Sequence, residues 1–502
     1  MPQPSKLSLE LAASLAAAAA AVAVFIKLVR RRKSGPGCPP PGPAGFPIVG
    51  NLFDLPVNDP WRIYQAWSAQ YGSDVVHMRV FGTHMLVINS AKAASELLGR
   101  RSAKYSDRPH MPMIQDTIGL SWHFAFMPYG DLWRQHRRLF VQHAHAFDNQ
   151  NQTKWTKIFL QNLLSTPDDF MEHIQHLASG ASLEATFGLQ VQPSGQPDPF
   201  IGAAKLVVQS IVEAGIFGTY LVDFFPWLRR LPFFSFKKQA AIWRAASDVA
   251  AHVPWDLTKK AMESGDFLPS AASVVLSDNE ADETVSRQVM AAMFANGSAA
   301  TVSAIATFIL AMVLYPDIQR AAQAEIDKVV PERLPDLTDE HNLPYLTAII
   351  REIGRWNPVA PFAFPHALSA DDSYNGYHLK AGTVVIPNSW AILHDPTVYP
   401  DPEKFDPSRF LTSDGRINTL VKDPEAVWGY GRRVCPGRKV ATSEMFLALA
   451  GILKVFDIRP AVSEKGEILL PAGDYEGGLL RYPKPFKCSI RPRSTKLAVL
   501  LQ

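Results

Sequence analysis

A cysteine in a glycine-rich loop is the residue of this sequence best suited to chemistry. Residues 428–437 read Trp-Gly-Tyr-Gly-Arg-Arg-Val-Cys-Pro-Gly. A metal-bound thiolate needs a tight loop, donors aimed at the sulfur and a backbone that a flat cofactor can approach. Gly431 and Gly437 permit the required turns, and Arg433 offers a fixed charge near the sulfur or near cofactor carboxylates. The loop therefore favours Cys435 as a metal ligand over the alternative of a structural buried cysteine.

The segment after the loop is expected to hold it rigidly. Val440–Leu449 is mostly apolar and predicts a largely buried helix, and the positive end of the helix dipole would stabilise a thiolate at Cys435. Gly429 and Gly431 do not form a dinucleotide-binding fingerprint, because a third glycine and a surrounding βαβ unit are both missing. The pattern thus indicates metal–sulfur chemistry rather than phosphate binding.

Periodic apolar residues predict the helices that must position this loop. The helical period is clearest in Trp133–Phe140, Gln288–Leu314 and Tyr345–Trp356. The second of these segments is apolar nearly all round, which is typical of a helix through the centre of a protein. Because Ser, Thr and Asn interrupt it and polar residues bound it, we do not assign it as a membrane span.

Short alternating runs predict small sheets beside these helices. They lie at His77–Asn89 and Gly382–Pro387, while the Pro- and Asp-rich stretch Pro400–Ala426 predicts a coil. We find no second linker and no fixed repeat after Asn51. We therefore expect a mainly α fold with small β-sheets, in one large catalytic domain over residues 51–502.

Composition excludes several classes of protein. Hydrophobic residues make up 47% of the 502 residues, which is enough for a sizeable core and argues against general disorder. Three cysteines cannot make a disulfide framework. Residues 1–33 hold six of the 50 basic residues and one of the 47 acidic ones. The remaining chain is slightly acidic, so we expect no nucleic-acid partner.

The N-terminus predicts a membrane anchor over residues 1–33. Leu7–Val29 is rich in Ala, Val and Leu, and the charge-free part is shorter than the ~20 residues of an ordinary span. Arg30-Arg31-Arg32-Lys33 follows directly, which places the catalytic body in the cytosol. The alternative is a cleaved signal peptide, whose positive charge normally precedes the apolar stretch.

The anchor is followed by a proline-rich hinge over residues 34–50. Its sequence, SGPGCPPPGPAGFPIVG, resists helix formation and predicts a stiff, extended spacer between membrane and body. A cytosolic body also makes the glycosylation sequons at Asn151 and Asn296 chance matches.

Four motifs together resemble the cytochrome P-450 family. Residues 428–437 resemble its haem-binding loop, Phe-x-x-Gly-x-Arg-x-Cys-x-Gly, with Trp428 keeping an aromatic side chain at the Phe position. The other matches, in chain order, are Trp133–Arg137 to Trp-x-x-x-Arg, Glu352–Arg355 to Glu-x-x-Arg, and Pro407–Phe410 to Pro-x-Arg-Phe. The resemblance covers essentially the whole chain and is nearest to microsomal, fungal members.

The resemblance implies haem b (iron protoporphyrin IX) with Cys435 as the axial iron ligand. It also implies that the haem carboxylates bind Trp133 and Arg137, which share a helix face at i, i+4. His366 stands where the family usually places a propionate-binding Arg or His; the alternative is an ordinary loop histidine. The cofactor-binding set implied is Trp133, Arg137, His366, Trp428, Gly431, Arg433 and Gly437.

A second set implied by the resemblance is structural. Glu352 and Arg355 are spaced i, i+3 and can pair on one helix face. With Arg409 they would form a buried charge cluster that holds the coil segment beneath the cysteine loop. Taken alone, the pair is equally typical of exposed surface residues.

The central helix departs from the family pattern, Ala/Gly-Gly-x-Asp/Glu-Thr-Thr/Ser. Gly297 fixes the register, so Ala299 stands at the acid position and Ala300 at the usual proton-delivering Thr, while Thr301 matches the second hydroxyl. One residue turns a helical side chain by about 100°, so Thr301 replaces the missing alcohol only if a π-bulge rotates it inward. We place Gly297, Ala300 and Thr301 with Cys435 among the candidate catalytic residues.

The resemblance implies a membrane-anchored monooxygenase that uses O2 and NADPH-derived electrons on a hydrophobic small molecule. Implied partners are an NADPH-dependent diflavin reductase and the endoplasmic reticulum membrane, crossed once with the catalytic domain in the cytosol. Secondary metabolism is the expected setting. The alternative, favoured by the two alanines, is a haem-thiolate isomerase, dehydratase or oxidative cyclase; a haem sensor without enzymatic activity is third.

The regions matching the family's substrate contacts are rich in apolar side chains. They contribute Phe124, Phe126, Ile211, Phe217, Phe294, Phe362 and Phe364, which indicates a hydrophobic or aromatic substrate. On the cysteine side we expect a basic docking surface for the reductase, formed by Arg134, Arg138, Arg432, Arg438 and Lys439.

Overall fold

The computed structural model describes residues 37–232, 234–278, 281–297 and 299–501. The predicted anchor over residues 1–33 and the start of the hinge lie outside the described residues. The helices are α1 (Pro60–Tyr71), α2 (Ala91–Ala94), α3 (Ser102–Tyr105), α4 (Asp131–His143), α5 (Asn149–Ser165), α6 (Phe170–Phe187), α7 (Pro199–Ala214), α8 (Phe236–Ser264), α9 (Ala271–Leu276), α10 (Glu283–Gly297), α11 (Ala299–Leu314), α12 (Pro316–Val329), α13 (Pro344–Trp356), α14 (Ser389–Leu393), α15 (Arg438–Val455) and α16 (Thr495–Val499).

The strands are short and belong to four sheets. They are β1 (Val75–Val80), β2 (Thr83–Ile88), β3 (His366–Ala367), β4 (Asp372–Tyr374), β5 (Tyr377–Leu379), β6 (Val384–Pro387), β7 (Phe456–Val462), β8 (Ile468–Leu469), β9 (Tyr475–Gly477), β10 (Arg481–Pro483) and β11 (Cys488–Pro492). The sheet orders are β1-β2-β6-β3, β11-β7-β8, β10-β9 and β4-β5. The expectation of a mainly α fold with small sheets is confirmed.

The helices that flank the cysteine loop form where the apolar period predicts them. On α4, Trp133, His136 and Phe140 are buried at spacings of three and four residues, with Arg134 and Arg138 exposed between them. Helix α13 begins at Pro344, whose fixed φ suits a first helical position. Both helices and the central one are confirmed, with ends that coincide with the predicted bounds or lie up to five residues beyond them.

The largest sheet positions one of the candidate site residues. Phe81 and Gly82 have φ of 46° and 87°, the left-handed conformations that a two-residue hairpin between β1 and β2 requires. Strand β6 then pairs parallel to β2, and β3 pairs antiparallel to β6 with His366 opposite Val385. His366 is thereby fixed by a strand ladder, which excludes the alternative of an ordinary loop histidine.

The described part of the hinge, residues 37–50, is packed on the body. It is largely without helix or strand, as expected, but its backbone is hydrogen-bonded to two sheets: the His77 N–H donates to Pro41 O at 2.9 Å and the His378 N–H donates to Cys38 O at 2.8 Å. The described part of the predicted spacer is therefore attached to the body by these hydrogen bonds. Proline-rich chain that cannot form its own ladder still accepts hydrogen bonds through its carbonyls.

The central helices α10 and α11 connect the two main apolar cores. Phe294 of α10 packs with α4, α7 and α8, while Phe308 of α11 packs with α5, α12 and α15. Glu283–Leu314 is long and apolar enough to cross a membrane, yet 82% of its most apolar stretch is buried inside the protein. The expectation of a central core helix is confirmed.

Candidate functional site

The cysteine loop is a tight turn that its glycines permit. It contains a 3-10 turn over Gly431–Arg433 and leads directly into α15. The Cys435 N–H donates to Trp428 O at 2.7 Å, which closes the loop on itself. Gly431 has a φ of 54°, and a Cβ there would come within 2.0 Å of Leu98 O. Only glycine fits at that position, so Gly431 acts by shaping the loop.

The loop opens onto a cavity of about 660 Å³ that α10 and α11 also line. Of the candidate site residues, the cavity wall includes Cys435, Trp133, Arg137, His366, Trp428, Arg433, Gly437, Gly297, Ala300 and Thr301. Residues spread over more than 300 positions of the chain are thus brought to one place. Gly431 lies outside the wall, as its role in the turn requires.

The Cys435 thiol faces the cavity and is otherwise enclosed by protein. Burial raises its pKa, while the Gly437 backbone N–H, which hydrogen-bonds the sulfur, and the charges of Arg137 and Arg438 lower it. Burial is the largest effect, so the protein alone favours the neutral thiol. A bound metal cation reverses this balance, because a coordinating thiol is deprotonated outright. The donors around the sulfur therefore suit a metal-bound thiolate.

Arg433, predicted to lie near the sulfur or near a cofactor carboxylate, is held by backbone carbonyls. It donates to Ser106 O at 2.8 Å, Phe124 O at 3.3 Å and Met127 O at 2.7 Å, with its guanidinium carbon 4.4 Å from the Trp133 ring centre. These three carbonyls provide a fixed geometry that sequence spacing does not reveal. Arg433 lines the cavity, and its role toward a cofactor carboxylate stays a prediction.

Positive side chains crowd that edge of the cavity. Arg108 donates to the carbonyls of Ala125, Phe364 and Pro365, each at 2.8 Å. Burial, aided by the charge of Arg433, holds the pKa of Arg108 well below its usual range. Burial likewise lowers the pKa of Arg433 to about 10.

No carboxylate forms an ion pair with Arg108 or Arg433 among the described residues. His366 lies with them. Its Nδ1 donates to Tyr105 O at 2.7 Å, which leaves Nε2 for the cavity, and burial and Arg108 hold its pKa well below the ordinary value. An anionic group entering the cavity would balance this charge, so the residues fit the carboxylates of a haem.

Arg137 and Trp133 connect this edge to the cysteine loop. Arg137 donates to Val434 O at 2.5 Å, the carbonyl directly before Cys435. The Trp133 ring lines the cavity. Both side chains are therefore placed to hold the loop and a carboxylate together.

The acid–arginine cluster lies beneath the loop and outside the cavity wall. Glu352 accepts from Arg355 at 2.6 Å and 2.8 Å and from Arg409 at 3.2 Å. Glu352 and Arg355 are fully buried, and Arg355 also donates to Pro402 O and Lys404 O of the coil segment. The three predicted residues are brought together as a clamp on residues 402–409.

The central helix presents no hydroxyl at the position of Ala300, whose methyl group faces the cavity. Gly297 is required by packing, because a Cβ there would lie 2.4 Å from Ser182 Oγ of α6. Thr301 is buried and donates to Glu444 Oε2 of α15 at 3.0 Å. The described residues of α10 and α11 are α-helical without a π-bulge, so Thr301 keeps its α-helical direction and meets Glu444.

Glu444 is a site residue that sequence reasoning missed. It is buried, lines the cavity beside Thr301, and burial raises the pKa of its carboxyl to about 8. It is therefore protonated at neutral pH. The signal was available: a single acid interrupts the otherwise apolar face of Val440–Leu449, and an acid on a buried helix face needs a reason. Arg108, also missed, has no such signal in the sequence.

The apolar wall differs in part from the expected one. Phe124, Ile211 and Phe364 line the cavity, joined by Phe140 and Phe147. Phe126, Phe217, Phe294 and Phe362 are instead buried in the core beside it. Core and cavity aromatics share the same apolar pattern, so their sequence does not separate them.

Comparison with known proteins matches this arrangement to one family. A sequence model described as Cytochrome P450 matches residues 40–490. The chain is 39% identical to "Cytochrome P450 monooxygenase ARMGADRAFT_974139" of Armillaria gallica, over 91% of this chain and 92% of that protein. It is 37% identical to "Cytochrome P450 monooxygenase ple1" of Rhodocybe pseudopiperita, over 91% and 90%. A third relative, "Tryptamine 4-monooxygenase" of Psilocybe cyanescens, is 37% identical over 91% and 94%.

Each of these relatives is named as a monooxygenase, and their alignments extend over nearly the whole length on both sides. With the cysteine loop, the cation-lined cavity edge and the central helix in place, the chain belongs to the cytochrome P450 family and is an oxidoreductase of the monooxygenase type.

Proposed function

We propose that this protein is a membrane-anchored haem-thiolate monooxygenase that oxidises a hydrophobic small molecule in fungal secondary metabolism. The observation that carries the proposal is the placement of Cys435 in a cavity whose wall also holds apolar side chains and, at one edge, buried arginines that make no direct ion pair among the described residues. Haem b bound through a thiolate supplies the iron that activates dioxygen. Electrons come from NADPH through a diflavin reductase.

The residues of this chain divide the work of holding that group. Cys435 would provide the sulfur that binds the iron, and Gly437 donates its backbone N–H to that sulfur. Trp133, Arg137 and Arg433 would hold the haem carboxylates. His366 and Arg108 complete that cationic edge. Trp428 lies beneath the Arg438 guanidinium at 5.7 Å and gives the loop its aromatic wall.

Proton supply is proposed to come through Thr301 and Glu444. Burial keeps Glu444 protonated at neutral pH, because its pKa is raised to about 8. Its Oε2 lies 3.0 Å from the Thr301 hydroxyl oxygen, and both side chains line the cavity. The protonated carboxyl can donate to the Thr301 oxygen while the Thr301 O–H gives its proton to a cavity water, and the Glu444 carboxylate that remains takes a proton back from water before the next turnover. This pair does the work usually assigned to the acid and alcohol that Ala299 and Ala300 replace.

The cationic surface on the cysteine side is proposed as the reductase site. Arg134, Arg138, Arg432 and Lys439 are exposed, and Arg432 is held by the Tyr129 hydroxyl at 2.8 Å. Several positive charges on one face attract an acidic flavoprotein and increase the rate at which the two proteins associate.

Attachment to the endoplasmic reticulum membrane is proposed through the N-terminal anchor, with the catalytic domain in the cytosol. Near the start of the described chain, Ile48, Phe53 and Val57 are 91%, 75% and 92% exposed. Apolar side chains in water at that end of the body suit contact with a lipid surface. Deleting residues 1–33 is expected to release much, and not all, of the protein from microsomes.

The spectrum of the reduced, CO-bound protein tests the proposal. The full-length protein is expected to show the red-shifted band that gives the family its name. Cys435→Ala is expected to abolish that band, since no sulfur remains in the loop. Cys488→Ala is the matched control, because Cys488 is buried in the core away from the cavity, and its band is expected to persist. A band retained by Cys435→Ala would refute the assignment.

The alternative function is a haem-thiolate isomerase, dehydratase or oxidative cyclase without net oxygen insertion, and Ala299 and Ala300 are the observation that favours it. Products formed with and without NADPH and reductase, under labelled O2, separate the two. Labelled oxygen in an NADPH-dependent product supports the monooxygenase. Turnover that needs neither NADPH nor O2 supports an isomerase or dehydratase, and a product that needs NADPH and O2 but carries no label supports an oxidative cyclase. No turnover with intact haem supports the sensor.

A further inference from the structure

A buried histidine fixes the orientation of an amide in the cavity wall. His123 lies after the 3-10 turn Leu120–Trp122, fully buried, with the Phe124 and Phe126 ring centres 6.2 Å and 5.6 Å from its own. The Ala125 backbone N–H donates to His123 Nδ1 at 3.2 Å. That nitrogen therefore carries a lone pair, and the ring proton is on Nε2.

The Nε2 proton determines which way the next side chain points. Nε2 lies 3.1 Å from Oδ1 of Asn296, in the last turn of α10. Since Nε2 donates, the amide oxygen of Asn296 is the acceptor. Burial lowers the pKa of His123 to about 4, so the ring stays neutral and keeps this tautomer at physiological pH.

The Asn296 amide nitrogen takes no part in the hydrogen bond with His123. Asn296 is exposed where it lines the cavity, and its Nδ2 has no hydrogen-bond partner in the described part of the chain. An amide thus stands where the family pattern has Ala or Gly.

We propose that Asn296 determines substrate specificity by donating a hydrogen bond from Nδ2 to an acceptor oxygen of the substrate. The substrate class is a hydrophobic molecule with a carbonyl, ether or hydroxyl oxygen, and His123 is the positioning residue that aims the amide. A hydrogen-bond donor that lies in an apolar wall favours a ligand with an acceptor for it over an analogue that leaves the donor unpaired. The inference rests on the proposed function, because it places the substrate in the haem cavity.

Matched probes measure this preference without the natural substrate. The pairs are 1-tetralone with tetralin and 9-fluorenone with fluorene, which differ by one carbonyl oxygen. Their dissociation constants are measured by calorimetry on the full-length, haem-loaded protein and on Asn296→Leu, which keeps the size and removes the amide. Wild-type protein is expected to prefer each ketone over its hydrocarbon about five- to tenfold more strongly than Asn296→Leu does.

A second variant separates positioning from structure. His123→Phe keeps an aromatic ring but cannot donate, so it is expected to lose about half of the ketone preference on a logarithmic scale, with hydrocarbon affinity unchanged. Equal losses for ketone and hydrocarbon would show a merely structural role and overturn the inference.

The remaining outcomes are also decisive. No ketone preference in the wild-type protein, including no measurable binding of either ketone, overturns the inference while the CO-bound band leaves the proposed function standing. A wild-type protein without that band overturns both.

Discussion

The two walls of the cavity differ in how closely they follow a recurring pattern. On the wall that carries Cys435, the loop and α4 match the family motifs residue by residue, apart from Trp428, and so does the Glu352 cluster beneath the loop. On the opposite wall, α10 and α11 depart from the pattern at Asn296, Ala299 and Ala300. The first wall holds a group of fixed shape and charge. The second faces a ligand that differs between relatives. At its positions the residue type can therefore change, provided that another side chain supplies the same function.

The comparison also separates two uses of buried charge. Beneath the cysteine loop, Glu352 is fully paired by Arg355 and Arg409, and it clamps the coil. On α15, Glu444 meets the hydroxyl of Thr301 and, among the described residues, no cation, so burial keeps it protonated. Paired charge stabilises structure, whereas an unpaired acid stores a proton.

The largest expected effect is at the clamp. Arg355→Met leaves the buried Glu352 carboxylate underpaired, which costs about 3–5 kcal/mol of unfolding free energy, and haem content is expected to fall with it. The matched control is Arg320→Met. Arg320 and Asp317 are also spaced i, i+3, but their side chains are 67% and 87% exposed, so the expected change is within about 0.5 kcal/mol. Thermal unfolding and haem content measure both, and equal losses would contradict a structural clamp.

The second-largest effect is expected at Glu444, the buried acid that holds a proton. Glu444→Gln keeps an acceptor for Thr301 but holds no proton to give, so product formed per NADPH is expected to fall by about 10²-fold, with peroxide released instead. Thr301→Val is expected to act in the same direction, since it removes the hydroxyl between Glu444 and the cavity. Thr301→Ser retains the hydroxyl and is the control. Unchanged coupling in both Glu444→Gln and Thr301→Val would exclude this relay.

The pH profile of coupling has a sign that Glu444 determines. Its pKa is raised to about 8, so the proton is present below that pH and is lost as the pH rises through it. The share of NADPH that ends in product is therefore expected to fall above about pH 8 in the wild-type protein. Glu444→Gln, already poorly coupled, is expected to lack this alkaline limb. A profile that is the same in both proteins would assign the limb to another group.

Sequence patterns predict the cofactor-holding wall because its determinants are local. Glycines fix the loop, the i, i+4 spacing of Trp133 and Arg137 fixes one helix face, and an apolar period fixes α13. The missed residues depend on contacts made far along the chain. Glu444 meets Thr301 across 143 positions and His123 meets Asn296 across 173, and no local period encodes such a meeting.

The same argument explains details that the sequence leaves open. Arg433 was expected near the sulfur or a carboxylate, and carbonyls some 300 residues earlier in the chain hold its guanidinium. Residues 34–50 were expected to be a stiff, extended spacer, and carbonyls of the described part accept hydrogen bonds from sheet edges that only the folded body provides. At both places the sequence predicts which kind of group is present, but it does not predict the partner toward which that group points.

A smaller effect is expected from restoring the family pattern in the central helix. Ala299→Asp with Ala300→Thr supplies the usual acid and alcohol, but Glu444 and Thr301 already provide one route, so peroxide release is expected to fall only about two- to threefold. Substrate binding must first be checked by its spectral shift, because added bulk and charge can block the cavity. A gain of 10²-fold would mean that the chain has no working relay of its own.

The smallest effect is expected at an exposed residue of the wall that carries Cys435, at a position that is not one of the predicted cofactor-binding residues. Lys439 is exposed in the first turn of α15, beside the cysteine loop. Lys439→Glu is expected to raise the KM for the reductase about threefold at low salt, and less as salt screens the attraction. The CO-bound band is expected to stay unchanged, since Lys439 does not contact the sulfur.

The matched control for this surface is Lys260→Glu on α8, also exposed, from a helix that contributes nothing to the cavity wall. It makes the same change in net charge, so an equal rise in KM would show a general charge effect. A rise confined to Lys439→Glu would place electron entry on the cysteine side. The wall that recurs in sequence would then serve both haem and reductase, and the opposite wall would be left free to vary with the substrate.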